Sequence, residues 1–325
     1  MKVVMPMAGL GTRLRPHTYS KAKPLLPVAG KPILAHLLDR LQGLDVEEYV
    51  FIVGHLGEQI EKYVEANYDL PARFVLQAEP LGQAHALHLS REYIDSPFLL
   101  IFVDTIFEAD LARIDEVACD GLVFVKEVDD PRRFGIALLE GDRVVRFIEK
   151  PEEPLSNLAL VGMYYVVNWS LLMGCVETLL EEGIQTKGEY YIADAFQLMV
   201  DRGAKLEVVT VDVWQDCGKP ETLLATNRYL LEKGERQEVK AENSVIIPPV
   251  YIAESVTIRG SVVGPYVSAA EGCVIIDSIV KDSIIDEGAY IEDATLEGSL
   301  IGANAQVKGK FKRLDIAASS RVDLG

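Results

Sequence analysis

Hydrophobic residues recur along the first two thirds of the chain in two alternating patterns. Short, nearly continuous apolar runs predict strands buried on both faces, as in a mostly parallel sheet. These runs are Lys2–Met7, Val50–Val53, Phe74–Gln77 and Phe98–Val103. Between them, apolar residues at helical spacing predict amphipathic helices, one beginning near Pro32 and one over Glu58–Ala66. This alternation predicts a three-layer α/β domain of Rossmann-like type.

The pattern changes after the polar stretch Leu231–Asn243, so we place a domain boundary there and divide the chain into residues 1–238 and 239–325. Beyond it, aliphatic or small apolar residues recur mainly at a spacing of six: Val250, Val256, Val262, Val267, Cys273, Ile279, Ile285, Ile291, Ile301 and Val307. A six-residue period predicts a parallel β-helix whose stacked coils bury one ladder. A small β-sandwich is the alternative, and the run of consecutive residues at this period favours the β-helix.

Composition limits the classes of partner. The chain has 32 Lys and Arg against 50 Asp and Glu, a net charge of −18 that disfavours general nucleic-acid binding. With 49% hydrophobic and 25% charged residues it is typical of a soluble globular protein. No apolar run is long enough for a membrane span, and the first residues indicate a strand rather than a signal peptide. Four cysteines without a CxxC pair favour a reducing cytoplasm over a zinc site or a disulfide scaffold.

The segment after the first strand carries the candidate chemistry. Ala8-Gly9-Leu10-Gly11-Thr12-Arg13 combines small residues, whose backbone N–H groups can approach phosphate oxygens, with an arginine that can bind those oxygens in a fork. A Walker A loop and a dinucleotide GxGxxG motif both require glycine at the position of Leu14. The sequence therefore indicates a phosphate-binding loop of another kind.

Met5–Lys31 resembles the signature of the sugar-1-phosphate nucleotidylyltransferases. Its elements are AGLGTRLRPHT from Ala8, KPLLP from Lys23, and the Lys31-Pro32 pair. The spelling PMAGLGTR is most similar to the glucose-1-phosphate uridylyltransferases, whereas many thymidylyltransferases have glycine at the position of Ala8. Six further segments resemble the family in order: Leu76–His85, Phe102–Asp104, Phe134–Gly135, Ile148–Pro151, Val161–Tyr164 and Trp214–Gly218. Val103 departs from the glycine that the family usually has. The repeats resemble the left-handed β-helix appended to many members.

The resemblance implies a role for each matching residue. Arg13 would hold the outer phosphates of a nucleoside triphosphate, and Lys23 would stabilise charge near its α- and β-phosphates. The remaining nucleotide-binding residues would be Ala8, Gly9, Gly11, Thr12, Gln77 and Gly82. Those for the sugar phosphate would be Gly135, Glu149, Lys150 and Gly162. Asp104 and Asp216 would bind Mg²⁺, which prefers carboxylate and phosphate oxygens.

The implied activity is transfer of a nucleotidyl group from UTP or dTTP to a hexose-1-phosphate, with glucose-1-phosphate as the default sugar. Three alternatives stay open. Asp104 could instead cap a helix and Asp216 could occupy a turn. The chain could also be a non-catalytic nucleotide-sugar sensor or assembly subunit, although such a chain would be expected to lose a metal-binding Asp or the loop Arg, and this sequence keeps Arg13, Asp104 and Asp216. The β-helix could catalyse acyl transfer, but none of the histidines lies in the repeats. An appended β-helix also favours a homo-oligomer.

Overall fold

The computed structural model describes residues 1–153, 155–309 and 315–323. The chain forms two compact units, each built from two segments. The first contains Met1–Gly9 and Leu41–Trp214, and the second contains Leu10–Arg40 and the residues from Gln215 onward. This division differs from the contiguous one expected from the sequence, because Leu10–Arg40 groups with the repeats. The boundary at residue 238 stays a prediction about sequence domains.

A nine-stranded sheet forms the centre of the first unit. Its strands, β1 to β9 in chain order, are Lys2–Pro6, Glu48–Val53, Ala72–Leu76, Phe98–Ile101, Gly121–Glu127, Gly135–Glu140, Arg143–Glu149, Leu158–Val166 and Leu206–Thr210. They lie in the order β3-β2-β1-β4-β8-β5-β9-β7-β6. The strands predicted from the apolar runs are thus confirmed as β1 to β4.

The sheet is mixed. β3, β2, β1 and β4 are parallel to one another, as buried apolar runs predict. β8 is antiparallel to both β4 and β5, whereas β9 is parallel to β5. β6 and β7 form an antiparallel pair joined by a tight turn at Gly141, which has a positive φ that glycine adopts readily. The α/β fold is therefore confirmed, while the expected mostly parallel sheet holds only for its N-terminal half.

Amphipathic helices complete the first unit. Beside the sheet are α2 (Gly57–Asn67), α3 (Gln83–Leu89), α4 (Trp169–Glu181) and α5 (Ile192–Asp201). The first helix along the chain, α1 (Ile33–Leu41), begins after Pro32 as predicted, and its residues 33–40 belong to the second unit. α5 buries Ile192, Ala195, Phe196 and Met199 at helical spacing. The ring of Phe196 stacks on Tyr164 of β8 at 4.6 Å. This contact anchors α5 to the sheet.

The C-terminal part of the second unit is a parallel β-helix of three stacked sheets, as predicted. The first sheet contains Val245–Ile246, Val262–Val263, Ile279–Lys281 and Thr295–Glu297. The second contains Val250–Ile252, Val267–Ala269, Ile284–Ile285, Leu300–Ile301 and Asp315–Ile316. The third contains Thr257–Arg259, Val274–Ile276, Tyr290–Glu292, Gln306–Lys308 and Arg321–Asp323.

The predicted aliphatic ladder is wrong at two positions. Val262 is only partly buried and Ile279 is 51% exposed, whereas their neighbours Val263 and Val280 are fully buried. In this sheet Val262 pairs with Ile279, so the two side chains stack on the outer face. One coil contains seventeen residues here, since Val262 pairs with Ile279, whereas three six-residue repeats would need one residue more. The position that faces the interior is therefore shifted by one residue.

The second unit also contains α6 (Pro220–Lys233) and the short antiparallel pair Pro27–Val28 and Lys31–Pro32. α6 begins with Pro220 in its first turn, and the Thr222 side chain caps it at Lys219. Among the residues that the structure describes, no helix has both the length and the apolar character needed to span a membrane.

Candidate active site

The glycine loop of the second unit folds as three short 3-10 turns: Thr12–Leu14, His17–Tyr19 and Lys23–Leu25. Gly11 precedes them with a φ of 60°, and the buried Thr18 hydroxyl donates to its carbonyl at 2.9 Å. A Cβ at Gly11 would lie 2.8 Å from the Thr18 methyl and 3.3 Å from Cβ of Lys23. Glycine is therefore required here both by conformation and by space, and the loop brings Lys23 beside it.

Arg13 and Asp216 meet at Gly218 in the same unit. A Cβ on Gly218 would lie 2.8 Å from Asp216 Oδ1 and 2.9 Å from Arg13 Nη2. The Gly218 N–H donates to Asp216 Oδ1 at 2.7 Å, and Thr226 of α6 donates to the Asp216 carbonyl at 3.0 Å. The resemblance assigns Arg13 to phosphates and Asp216 to Mg²⁺. The two side chains lie together beside Gly218, where any larger residue would contact both.

The other part of the glycine loop belongs to the first unit. Ala8 is buried, and its carbonyl would lie 2.7 Å from a Cβ at Gly54, so these two backbones approach closely. Gly9 has no atom within 4 Å of the position of an added Cβ. Thr12, in the second unit, is exposed at the first 3-10 turn.

Gln77 and Gly82, the two residues that the resemblance assigns to the base, lie together in the first unit. The Gln77 side chain is 5% exposed, and its Nε2 donates to the Gly82 carbonyl at 3.1 Å and contacts His85 Nδ1 at 3.0 Å. Burial lowers the pKa of His85, so its neutral form is favoured and Nδ1 can accept. Because the Gly82 carbonyl can only accept, the Gln77 amide is oriented with its nitrogen toward that carbonyl and the His85 ring.

Tyr190 fixes the backbone of this loop. Its N–H donates to the Leu81 carbonyl and its carbonyl accepts from the Ala84 N–H, both at 2.9 Å. Gly82 has a φ of 117°, and a Cβ there would lie 2.5 Å from the Tyr190 carbonyl oxygen. The close approach of the two backbones therefore requires glycine at position 82.

Glu149, Lys150 and Tyr191 form a second polar cluster in the first unit. Lys150 Nζ lies 2.9 Å from the Tyr191 hydroxyl and 3.3 Å from Glu149 Oε1. Burial raises the pKa of Glu149, although the charge of Lys150 opposes this. Burial alone would lower the pKa of Lys150, but the Tyr191 hydrogen bond and the Glu149 charge together raise it. Lys150 is thus an ammonium group fixed by Tyr191 and Glu149, and it lies beside the partly desolvated carboxylate of Glu149.

Tyr191 was not found from the sequence, because nothing in its spacing connects it to Lys150.

Two glycines were also assigned to the sugar phosphate: Gly135 lies beside this cluster, and Gly162 lies on β8. A Cβ at Gly135 would lie 2.8 Å from Glu149 Oε2, so the carboxylate lies against bare backbone. Gly162 has a φ of 84° where the β8 pairing is irregular, and its carbonyl accepts from the Phe102 N–H at 2.9 Å.

Asp104 lies in the turn between β4 and the short strand Thr105–Glu108. The Phe102 contact with Gly162 fixes the backbone just before this turn. In the described part of the chain, no group of three or more His, Cys, Asp and Glu side chains is arranged to hold a metal ion. Mg²⁺ commonly takes only one or two carboxylates from a protein, together with phosphates and water.

Comparisons with known proteins agree with these features. The sequence model of the nucleotidyl transferase family matches residues 2–233. A glucose-1-phosphate thymidylyltransferase of Streptomyces griseus is 31% identical over 94% of this chain and 93% of its own length. AglF of Haloferax volcanii, a UTP–glucose-1-phosphate uridylyltransferase, is 36% identical over 68% of this chain and 93% of its own.

The fold agrees as well. A crystal structure from Bacillus anthracis, assigned to the glucose-1-phosphate thymidylyltransferases, superimposes with a TM-score of 0.62 and 26% identity, covering 73% of this chain and 98% of that one. The chain therefore belongs to the nucleotidyl transferase family. Within that family it is a sugar-1-phosphate nucleotidyltransferase, so the resemblance seen in the sequence is confirmed.

Proposed function

We propose that the protein transfers a nucleotidyl group from UTP or dTTP to a hexose-1-phosphate, with glucose-1-phosphate as the preferred sugar, and releases pyrophosphate. The meeting of Arg13 and Asp216 at Gly218 supports this most directly, because it places a phosphate-binding cation beside a carboxylate. The named activities of the thymidylyltransferase and uridylyltransferase relatives support the choice of sugar and of a pyrimidine nucleotide.

The reaction needs no general base. A sugar-1-phosphate is mostly dianionic at neutral pH, since its second pKa is about 6. One of its oxygens attacks the α-phosphorus, a new P–O bond forms, and the bond between the α-phosphorus and the β-phosphate bridging oxygen breaks. Pyrophosphate leaves with that oxygen and its electron pair. The protein has to position two polyanions in line and stabilise the charge that develops.

Arg13 and Lys23 carry out the stabilisation in our proposal. The Arg13 fork binds the outer phosphates, and Lys23 lies near the α- and β-phosphates as charge moves to the leaving group. The backbone of Ala8, Gly9, Gly11 and Thr12 provides N–H groups for the same oxygens. The support for this is the exposed side chain of Arg13 and the proximity of Lys23 to Gly11.

Asp104 and Asp216 are the proposed protein ligands of Mg²⁺. The donor chemistry fits, since both are carboxylates and the Gly218 N–H orients that of Asp216. When bound, the ion would neutralise charge on the phosphates. Asp216 is held for this by Thr226 and Gly218, and Asp104 follows a strand end that is fixed through Phe102.

Gln77 and Gly82 are the proposed contacts for the base. Since Gln77 Nε2 is used within the loop, we assign its carbonyl oxygen Oε1 to the N3–H of a pyrimidine. Lys150 would bind the phosphate of the sugar and Glu149 would accept from a sugar hydroxyl, and Gly135 and Gly162 would belong to the same part of the site. The single methyl that separates dTTP from UTP is worth only ~1–3 kcal/mol in a pocket, so both nucleotides stay in the proposal.

The test is pyrophosphate release with UTP, dTTP, GTP and ATP in parallel, each with glucose-1-phosphate and Mg²⁺. We expect UTP or dTTP to be used best. Binding of a nucleotide-sugar in calorimetry without turnover of any hexose-1-phosphate would contradict the proposal and favour a non-catalytic member. The cytoplasmic location expected from the sequence stays part of the proposal.

A further inference from the structure

The segment that carries Arg13 and Lys23 is joined to the β-helix by charged contacts. Leu10–Arg40 belongs to the same compact unit as the repeats. Lys21 Nζ lies 2.5 Å from Asp286 Oδ2, and the His17 ring contacts the carboxylate of Asp315. Lys21 and His17 thus lie in the sequence between the two cations that we assign to the triphosphate.

The contact between Lys21 and Asp286 fixes the position of the loop because Asp286 is buried. Its side chain is only 10% exposed, and its Oδ1 accepts the N–H of Glu287 at 2.8 Å. A buried carboxylate is costly unless a cation pairs with it. The Asp286 carboxylate therefore needs the Lys21 ammonium as its partner, and this ion pair holds the loop against the β-helix.

Asn227 of α6 makes a second junction. This residue is fully buried and accepts from the Ala29 N–H at 2.8 Å and from the Ser268 hydroxyl at 2.6 Å. Its Nδ2 donates to the Tyr266 carbonyl at 3.2 Å. One side chain thus joins the loop segment, α6 and the β-helix. The preceding residue, Thr226, holds the backbone of Asp216.

We propose that the β-helix is a positioning element for the triphosphate half of the site. It holds the loop through Lys21–Asp286, so that Arg13 and Lys23 are placed before the nucleotide binds, and Asn227 is the junction that ties this loop to α6. The kinetic part of this inference rests on the proposed function. The residues assigned to the sugar phosphate, Glu149 and Lys150, lie in the other unit and make no part of these contacts.

Loosening the loop from the β-helix would misplace Arg13 and Lys23, and misplacement by about 1 Å can cost on the order of a hundredfold in rate. Since both cations are assigned to the triphosphate, use of the triphosphate should suffer while binding of the sugar phosphate is little changed. General destabilisation of the protein would instead affect both substrates together. The ratio of the two effects therefore separates positioning from a merely structural contribution.

The test is a double-mutant cycle with Lys21→Met, Asp286→Asn and the double variant. Asparagine keeps the shape of Asp286 and an acceptor for the Glu287 N–H. We expect each single variant to lower kcat/KM for the nucleoside triphosphate about tenfold, with less than a twofold change in KM for the sugar phosphate. The two effects should be non-additive in the double variant. Glu297→Gln is the matched control, since it removes the exposed Lys281–Glu297 pair on the same β-helix.

Hydrogen–deuterium exchange provides a readout that does not need activity. Amides within Leu10–Arg40 should exchange faster in Asp286→Asn, while those of the nine-stranded sheet stay unchanged. Unchanged exchange in the loop, or equal losses for both substrates with a lower Tm, would overturn the positioning role. If the wild-type protein released no pyrophosphate, the proposed function would fail, and the exchange result would still decide on the loop.

Discussion

The side chains of Arg13 and Asp216 both lie within 3 Å of the point where a Cβ at Gly218 would be placed. They are 203 positions apart in the sequence, and the fold of the second unit brings them together. A cation for phosphate oxygens and a carboxylate for a divalent ion are the two groups that phosphoryl chemistry needs side by side.

Gly218→Ala tests this relationship directly. The new methyl group would displace the ends of Arg13 and Asp216 rather than backbone, so we expect the protein to fold with little change in Tm. Activity should fall on the order of a hundredfold, because both groups leave their positions. Steady-state kinetics with thermal unfolding measures both. Gly43→Ala is the control, since nothing lies within 4 Å of its added Cβ; an equal loss of activity there would contradict the account.

Asp104→Asn and Asp216→Asn test the metal role. Both substitutions keep the size of the side chain, and at position 216 the amide oxygen can still accept the Gly218 N–H. We expect kcat to fall at least a hundredfold, with an increased requirement for Mg²⁺, while the circular dichroism spectrum is unchanged. A Mg²⁺ titration of activity measures this. Wild-type kcat in either variant would remove that residue from the metal site.

Tyr191→Phe tests the support of Lys150. Loss of the hydroxyl removes the 2.9 Å contact with Lys150 Nζ, so the ammonium is less well fixed. KM for the sugar phosphate should rise severalfold, with little effect on KM for the triphosphate. Tyr290→Phe is a matched control, because it also loses a hydroxyl contact, to Glu292 on the β-helix. Equal changes in both KM values would assign Tyr191 a structural role only.

His36 makes stability depend on pH. Burial lowers its pKa to about 4, and Lys31 and Arg40 add to this, whereas the Val28 carbonyl and Asp39 oppose it. The unfolded chain, with a pKa of about 6.5, binds the proton more tightly. The neutral ring therefore contributes stability that is full above pH ~6.5 and is lost as the pH falls toward about 4.

Urea unfolding of the wild type and of His36→Gln at pH 7.5 and pH 5 measures this effect. Glutamine can donate to the same carbonyl but does not titrate, and other titrating groups cancel in the comparison. The wild type should lose more free energy of unfolding between the two pH values than the variant does. An equal loss in both proteins would show that His36 does not titrate as its burial requires.

Local patterns predicted much of the fold and of the loop. Strands β1 to β4 follow from continuous apolar runs, the loop with Arg13 follows from its small residues and its arginine, and Lys23 was assigned by resemblance to the family. Period alone could not place Val262 and Ile279, since the residues beside them are also aliphatic and either set could face inward. Tyr191 and Asn227 were not found because their roles depend on partners distant in the sequence, Lys150 for one and Ala29 and Ser268 for the other.

Following each phosphorus atom of the triphosphate shows whether the protein transfers the nucleotidyl group to the sugar phosphate. UTP labelled separately in the α- and γ-phosphates is incubated with glucose-1-phosphate, Mg²⁺ and the wild-type protein, with dTTP run in parallel. We expect the α-label to enter a nucleotide-sugar and the γ-label to appear in pyrophosphate. Transfer of the γ-label to the sugar, its release as orthophosphate, or no labelled product with either nucleotide would contradict the proposed function.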